Sequence, residues 1–98
     1  MDRESALNLV RRYKDFITPD FPGAKVYMFG SYAKGYAHHG SDIDVAVVVP
    51  EYGGDRLKRS SSLWKATLHV DTIIEPVLLK EGETSPLYED VMRTGIAV

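Results

Sequence analysis

Residues 30–44 read Gly30-Ser31-Tyr32-Ala33-Lys34-Gly35-Tyr36-Ala37-His38-His39-Gly40-Ser41-Asp42-Ile43-Asp44. The five residues before this stretch, Lys25 to Phe29, are aromatic and β-branched and predict a short strand that stops at Gly30-Ser31. Ile43 to Val49 is almost unbroken valine and isoleucine, the pattern of a strand covered on both faces. Asp42 and Asp44 stand two apart where that strand begins, so their side chains leave one face about 6.6 Å apart along the backbone. Two carboxylates aimed at one point repel unless a cation lies between them. All-oxygen donors of this kind suit a hard ion such as magnesium. Gly30 allows close backbone approach, the amides after it can face an anion, and Ser31 adds a hydroxyl. If the two strands pair antiparallel, the end of the first meets the start of the second. The amide cradle and the carboxylate pair then share one site, fit for a nucleoside triphosphate.

Working outward, Asp2 to Ile17 predicts an amphipathic helix. Ala6, Leu9, Val10, Tyr13, Phe16 and Ile17 recur at three- and four-residue steps behind an Asp2 N-cap. Thr18-Pro19 and Pro22-Gly23 close it. Tyr32 to Ala37 predicts a short helix. Pro50 and Gly53-Gly54 end the valine-rich strand, and Asp55 can cap a helix running to about Trp64. Leu68 to Ile74 predicts a third strand. Ser85 caps a last helix with Pro86 at its first position and Gly95 just past its end. The expected fold class is α/β, in the order α-β-α-β-α-β-α around a small sheet, as one domain over residues 1–98.

Composition narrows the function classes. The chain has no cysteine, which rules out disulfide frameworks and thiolate metal sites. Its longest apolar run, Val45 to Pro50, is strand-sized, so no membrane span is expected and the expected location is cytoplasmic. A net charge of −2 argues against coating nucleic acid, which needs a basic excess, but not against binding one nucleotide with metal ions. Arg56, Lys58, Arg59 and Lys65 read as a solvated helix face. His38 and His39 read as loop residues, and His69 as a neighbour of Asp71 on one strand face. Trp64 and the tyrosines read as core, with Tyr32 and Tyr36 close to the cradle.

Gly30-Ser31, ten further residues, then Asp42-x-Asp44 resembles the signature of the DNA polymerase beta-like nucleotidyltransferase superfamily. The form Gly-Ser-x-Ala-x-Gly with Gly-Ser-Asp-Ile-Asp resembles the minimal nucleotidyltransferases, or MNT proteins. The resemblance implies a polymerase beta palm-like fold, a small mixed sheet flanked by helices with the Asp pair on a central strand. It also implies a third carboxylate on a later strand. Asp71, inside Leu68-His69-Val70-Asp71-Thr72-Ile73-Ile74, matches that pattern, with Glu75 as the alternative. Asp42, Asp44 and Asp71 would then be the catalytic acids and the ligands of two magnesium ions. Gly30, Ser31 and Lys34 would contact the phosphates of the nucleotide, expected to be ATP. MNT proteins pair with HEPN-domain proteins, so the resemblance implies a HEPN-type toxin as partner and nucleotidyl transfer to one of its hydroxyls. A non-catalytic antitoxin that neutralises its partner by contact is the alternative function. A small-molecule modifier is weaker, for want of the added domain such enzymes carry. A homo-oligomer stays open.

Overall fold

The computed structural model describes the whole chain, Met1 to Val98. Helix α1 (Arg3–Ile17) starts where expected, because the Asp2 carboxylate accepts a hydrogen bond from the Ser5 amide at 2.8 Å. Strand β1 (Lys25–Phe29) leads through Gly30 into the single-turn helix α2 (Ser31–Lys34). Strand β2 (Ile43–Val49) is followed by helix α3 (Arg56–Thr67), whose Asp55 cap accepts from the Lys58 amide at 3.2 Å. Strand β3 (Ile74–Lys80) and helix α4 (Pro86–Thr94) come next. Ser85 Oγ accepts from the Tyr88 amide, Pro86 opens α4, and Gly95 stands just past its end. A two-residue strand β4 (Ile96–Ala97), absent from the sequence reading, completes the chain.

The sheet runs β3-β2-β1-β4. β1 pairs antiparallel with both β2 and β4, while β2 pairs parallel with β3 across the α3 crossover. This is the mixed, helix-flanked α/β sheet expected from the order of elements. Alternation along β2 assigns its two faces. Ile43, Val45, Val47 and Val49 join Val10, Tyr13 and Ile17 of α1 and Leu63 and Ala66 of α3 in the larger core. Ala46 and Val48 meet Leu79 of β3 and Val91 of α4 on the other side, with Tyr27, Phe29, Val77 and Tyr88 around them. The buried Tyr13 hydroxyl donates to the Leu63 carbonyl at 2.8 Å, locking α1 to α3.

One element differs from expectation. Leu68 to Ile74 is not a strand: α3 continues to Thr67, a turn follows, and β3 begins only at Ile74. Leu68 is 74% exposed, and its amide closes the helix end on the Lys65 carbonyl. The apolar run that does pair with β2 includes Pro76, whose missing N–H would break a central strand. β3 lies at the sheet edge, where one side of the ladder is unpaired and proline is tolerated. Helix α2 is also shorter than expected. Gly35, at φ 86°, takes the left-handed conformation that ends it.

Candidate active site

The β1–β2 register sets Phe29 against Asp44, so the end of one strand meets the start of the next. The β2–β3 register sets Asp44 against Glu75. Both acids alternate with core-facing isoleucines, Ile43 and Ile74, so both project from the α4 side of the sheet. They emerge at its open end, ahead of the apolar patch that α4 covers. Asp42 precedes β2 and is exposed.

Asp44 and Glu75 face each other across the β2–β3 ladder, two carboxylates near enough to repel. Partial burial pushes the Asp44 carboxyl up from its ordinary 3.8 to about 6, and the neighbouring Glu75 and Asp42 charges push the same way. At neutral pH this is a strained pair, which a proton or a cation relieves.

Gly30 completes the arrangement. Its φ of 75° and ψ of −149° lie in a region open to glycine alone. A Cβ built there would overlap Asp44 Oδ2 and lie 3.1 Å from Asp44 Cγ. The bare Gly30 backbone therefore packs directly on the carboxylate, and Ser31 opens α2 at that point. Tyr32 anchors the turn, being 5% exposed. Lys34 is engaged by Asp90 of α4 at 3.4 Å, and Asp90 also holds Arg93 at 3.2 Å.

Asp71 lies elsewhere in the chain's course. It sits in the turn before β3, where its Oδ1 accepts from the Ile73 amide at 2.9 Å and its carbonyl from the Ile74 amide at 3.2 Å. The acid facing Asp44 across the ladder is Glu75, the alternative in the sequence reading. Moving the start of β3 changes which acid shares that face. His69 does not share a strand face with Asp71 either, since its ring stacks on Phe16 at 4.8 Å. Trp64, expected in the core, is 48% exposed on α3. Of the basic cluster, Arg56 lies over the Tyr52 ring and Arg59 over the Phe21 ring, each at 4.6 Å. None of the four cations in that cluster joins an ion pair. Arg56, Lys58 and Lys65 are exposed as expected of a solvated face, but Arg59 is half-buried and its Nε is buried without a hydrogen-bond partner.

No three His, Cys, Asp or Glu side chains stand close enough together to hold a metal ion. The donor set nonetheless suits a hard divalent ion, because Asp44 and Glu75 are carboxylates crowded on one face with Asp42 in electrostatic reach. The surface hollows of the molecule, one of them between α1 and α3, are lined by none of these acids. The site is an open sheet end rather than a pocket.

The sequence profile described as the nucleotidyltransferase domain matches residues 10–93, a span containing the Gly30-Ser31 turn and all three acids of this face. The chain belongs to that family. Comparison with curated proteins gives no match. Among solved structures, this nucleotidyltransferase domain is similar to a candidate nucleotidyltransferase from Sulfolobus solfataricus. That likeness has 22% identity and a TM-score of 0.71, over 97% of this chain and 80% of the other. It is also similar to a chain from a complex of an AMPylated Shewanella oneidensis HEPN toxin with its MNT antitoxin, at 20% identity and TM-score 0.63, over 94% and 70%. A chain of a toxin–antitoxin complex with AMP-PNP matches at 27% identity and TM-score 0.51, over 99% and 72%. No helix of the protein is long and apolar enough to cross a membrane.

Proposed function

We propose that this domain transfers the nucleotidyl group of ATP to a hydroxyl, using Asp42, Asp44 and Glu75 as the acids that would hold two magnesium ions. The observation that carries the reading is the Gly30 backbone packed on the Asp44 carboxylate, with Glu75 across the β2–β3 ladder. Phosphate-facing amides and oxygen donors for a divalent ion would thus stand side by side. Bound there, magnesium would offset the triphosphate charge and lower the pKa of the attacking hydroxyl.

The protein's own groups divide the remaining work. Gly30 and Ser31 would offer backbone N–H donors and one hydroxyl to the phosphates. Asp44 would give up any proton it carries once a cation takes that place beside Glu75. The acceptor oxygen forms its bond to the α-phosphorus, the bond to the bridging oxygen breaks, and pyrophosphate leaves with that electron pair. The exposed Glu75 carboxylate stands ready to take the acceptor's proton. Lys34 would reach a phosphate only by leaving Asp90, which gives it a lesser part.

The acceptor belongs to a partner, and a HEPN-type toxin is the partner we infer. The likeness to a chain of the Shewanella complex between an AMPylated HEPN toxin and its MNT antitoxin supports it, as does the likeness to a toxin–antitoxin chain solved with AMP-PNP. Incubation with labelled ATP, magnesium and a cognate HEPN protein should label that protein. Label should be lost with Asp42→Asn plus Asp44→Asn. An unlabelled partner under conditions where another MNT protein labels its own would refute transfer. Neutralisation that survives the double substitution would show that contact alone suffices.

A further inference from the structure

We propose that Arg3 is a positioning residue for nucleotide binding: it clamps α2 from outside and so holds the Gly30-Ser31 turn against Asp44. The inference rests on the reading above. The Gly30 carbonyl accepts from the Lys34 amide at 3.0 Å, and the Ser31 carbonyl from the Gly35 and Tyr36 amides at 3.0 and 3.1 Å. The next two carbonyls, Tyr32 and Ala33, have no partner inside so short a helix. Both are met by one side chain. Arg3 Nε donates to the Tyr32 carbonyl at 3.1 Å, and Arg3 Nη2 to the Ala33 carbonyl at 3.2 Å.

The same guanidinium lies against the end of the helix. A Cβ added at Gly35 would come within 3.2 Å of Arg3 Nη2. Gly35 therefore ends α2 in a left-handed turn and also leaves room for the arginine. A planar fork of donors meeting two consecutive carbonyls is a geometry that lysine cannot reproduce. Water could satisfy these carbonyls, but it would not tie α2 to α1. Arg3 belongs to the first turn of a fifteen-residue helix whose Ala6, Val10 and Tyr13 are fully buried in the core. The clamp thus fixes a four-residue helix to one of the rigid parts of the molecule.

Such fixing has a consequence at the other end of α2. One turn of helix has little stability of its own. Gly30, directly before it, has no tolerance for movement toward Asp44. Tyr32 plugs the core and Lys34 reaches Asp90, but neither meets the free carbonyls. Loss of the Arg3 clamp should let α2 fray from its end and shift Ser31 relative to the acids. A displacement near 1 Å is enough to weaken a preorganised phosphate contact about tenfold.

The test uses the full chain and two readouts. Binding of ATP with magnesium is measured by calorimetry for the wild type, Arg3→Ala, Arg3→Lys and Tyr13→Phe, all well below their melting temperatures. Tyr13→Phe removes the remote bond to the Leu63 carbonyl and serves as a destabilised control. Arg3→Ala should raise Kd about tenfold, Arg3→Lys should recover part of the loss, and Tyr13→Phe should leave Kd unchanged. Amide exchange of Lys34, Gly35 and Tyr36 should quicken about tenfold in Arg3→Ala alone, whether or not nucleotide is present. Wild type binding while Arg3→Ala binds equally well overturns the Arg3 proposal and spares the transferase reading. Unchanged exchange at those three amides overturns the clamp itself. No binding by the wild type overturns the transferase reading and this inference with it.

Discussion

Asp44→Asn should make the metal-free protein more stable while abolishing its use as a nucleotidyltransferase. In the folded protein the Asp44 carboxyl is pushed from 3.8 to about 6, first by burial and then by Glu75 and Asp42. A raised carboxyl favours the protonated form in the native state. Above pH 6 the folded protein therefore carries the full cost of ionising Asp44, and lowering the pH toward 4 removes it. Taken at face value a rise of that size corresponds to ~3 kcal/mol, at about 1.4 kcal/mol per pH unit. Asp44 keeps part of its surface in water, so screening reduces the figure to about 1 kcal/mol. Asparagine is nearly the same shape, stays neutral, and can donate a hydrogen bond to Glu75. At pH 8 without metal, Asp44→Asn should melt about 4–8 °C higher than wild type. The gap should narrow to about half as the pH falls to 5, and close only below about pH 4. Thermal unfolding followed by circular dichroism in chelator, from pH 5 to 8, measures it. A variant no more stable than wild type at pH 8, or a gap that ignores pH, would refute the claim that Asp44 is electrostatically strained.

Other outcomes follow from the same face of the sheet. Glu75→Gln should lower nucleotidyl transfer about 100-fold or more, equivalent to ~2.7 kcal/mol of barrier, while Asp71→Asn should stay near wild type in a labelled-ATP assay. The reverse ranking would return the third-acid role to Asp71. Asp71→Ala, which cannot accept from the Ile73 amide, should cost about 1 kcal/mol in urea unfolding with transfer intact. Gly30→Ala must place a methyl on the Asp44 carboxylate at a φ that L-residues avoid, so it should lose about 1–3 kcal/mol and bind no nucleotide. Full activity from Gly30→Ala would show that this contact is dispensable.

Much of the site is legible in the sequence because local chemistry decides it. Gly30-Ser31 and Asp42-x-Asp44 come together through an antiparallel pairing that the loop of His38 to Ser41 permits, and the register confirms it residue for residue. The helix starts are equally readable, since Asp2, Asp55 and Ser85 each cap an amide of their own helix. The third strand is not local in this sense. Leu68 to Val70 and Ile73 to Leu79 are both largely apolar, interrupted by His69 and Glu75, and Pro76 marks the second run as the less strand-like. Only the position of β3 at the edge, a property of the whole sheet, makes proline acceptable there. That choice moves attention from Asp71 to Glu75. The Arg3 clamp is illegible for a related reason, because it joins residues at opposite ends of the first third of the chain. Trp64 shows the limit of composition: a large aromatic can sit on an outer helix face when the inner face is filled by Leu63 and Ala66.

Pro76 bears on how this molecule can meet others. An unpaired strand flank is a ready template for a neighbouring chain, which adds itself by matching one amide row to another. In β3 that row is broken in the middle, because the ring nitrogen of Pro76 carries no hydrogen to offer. Growth of the sheet past β3 is therefore interrupted at the residue next to Glu75. A partner or a second copy approaching from that side must be recognised by side chains, which leaves Glu75 uncovered.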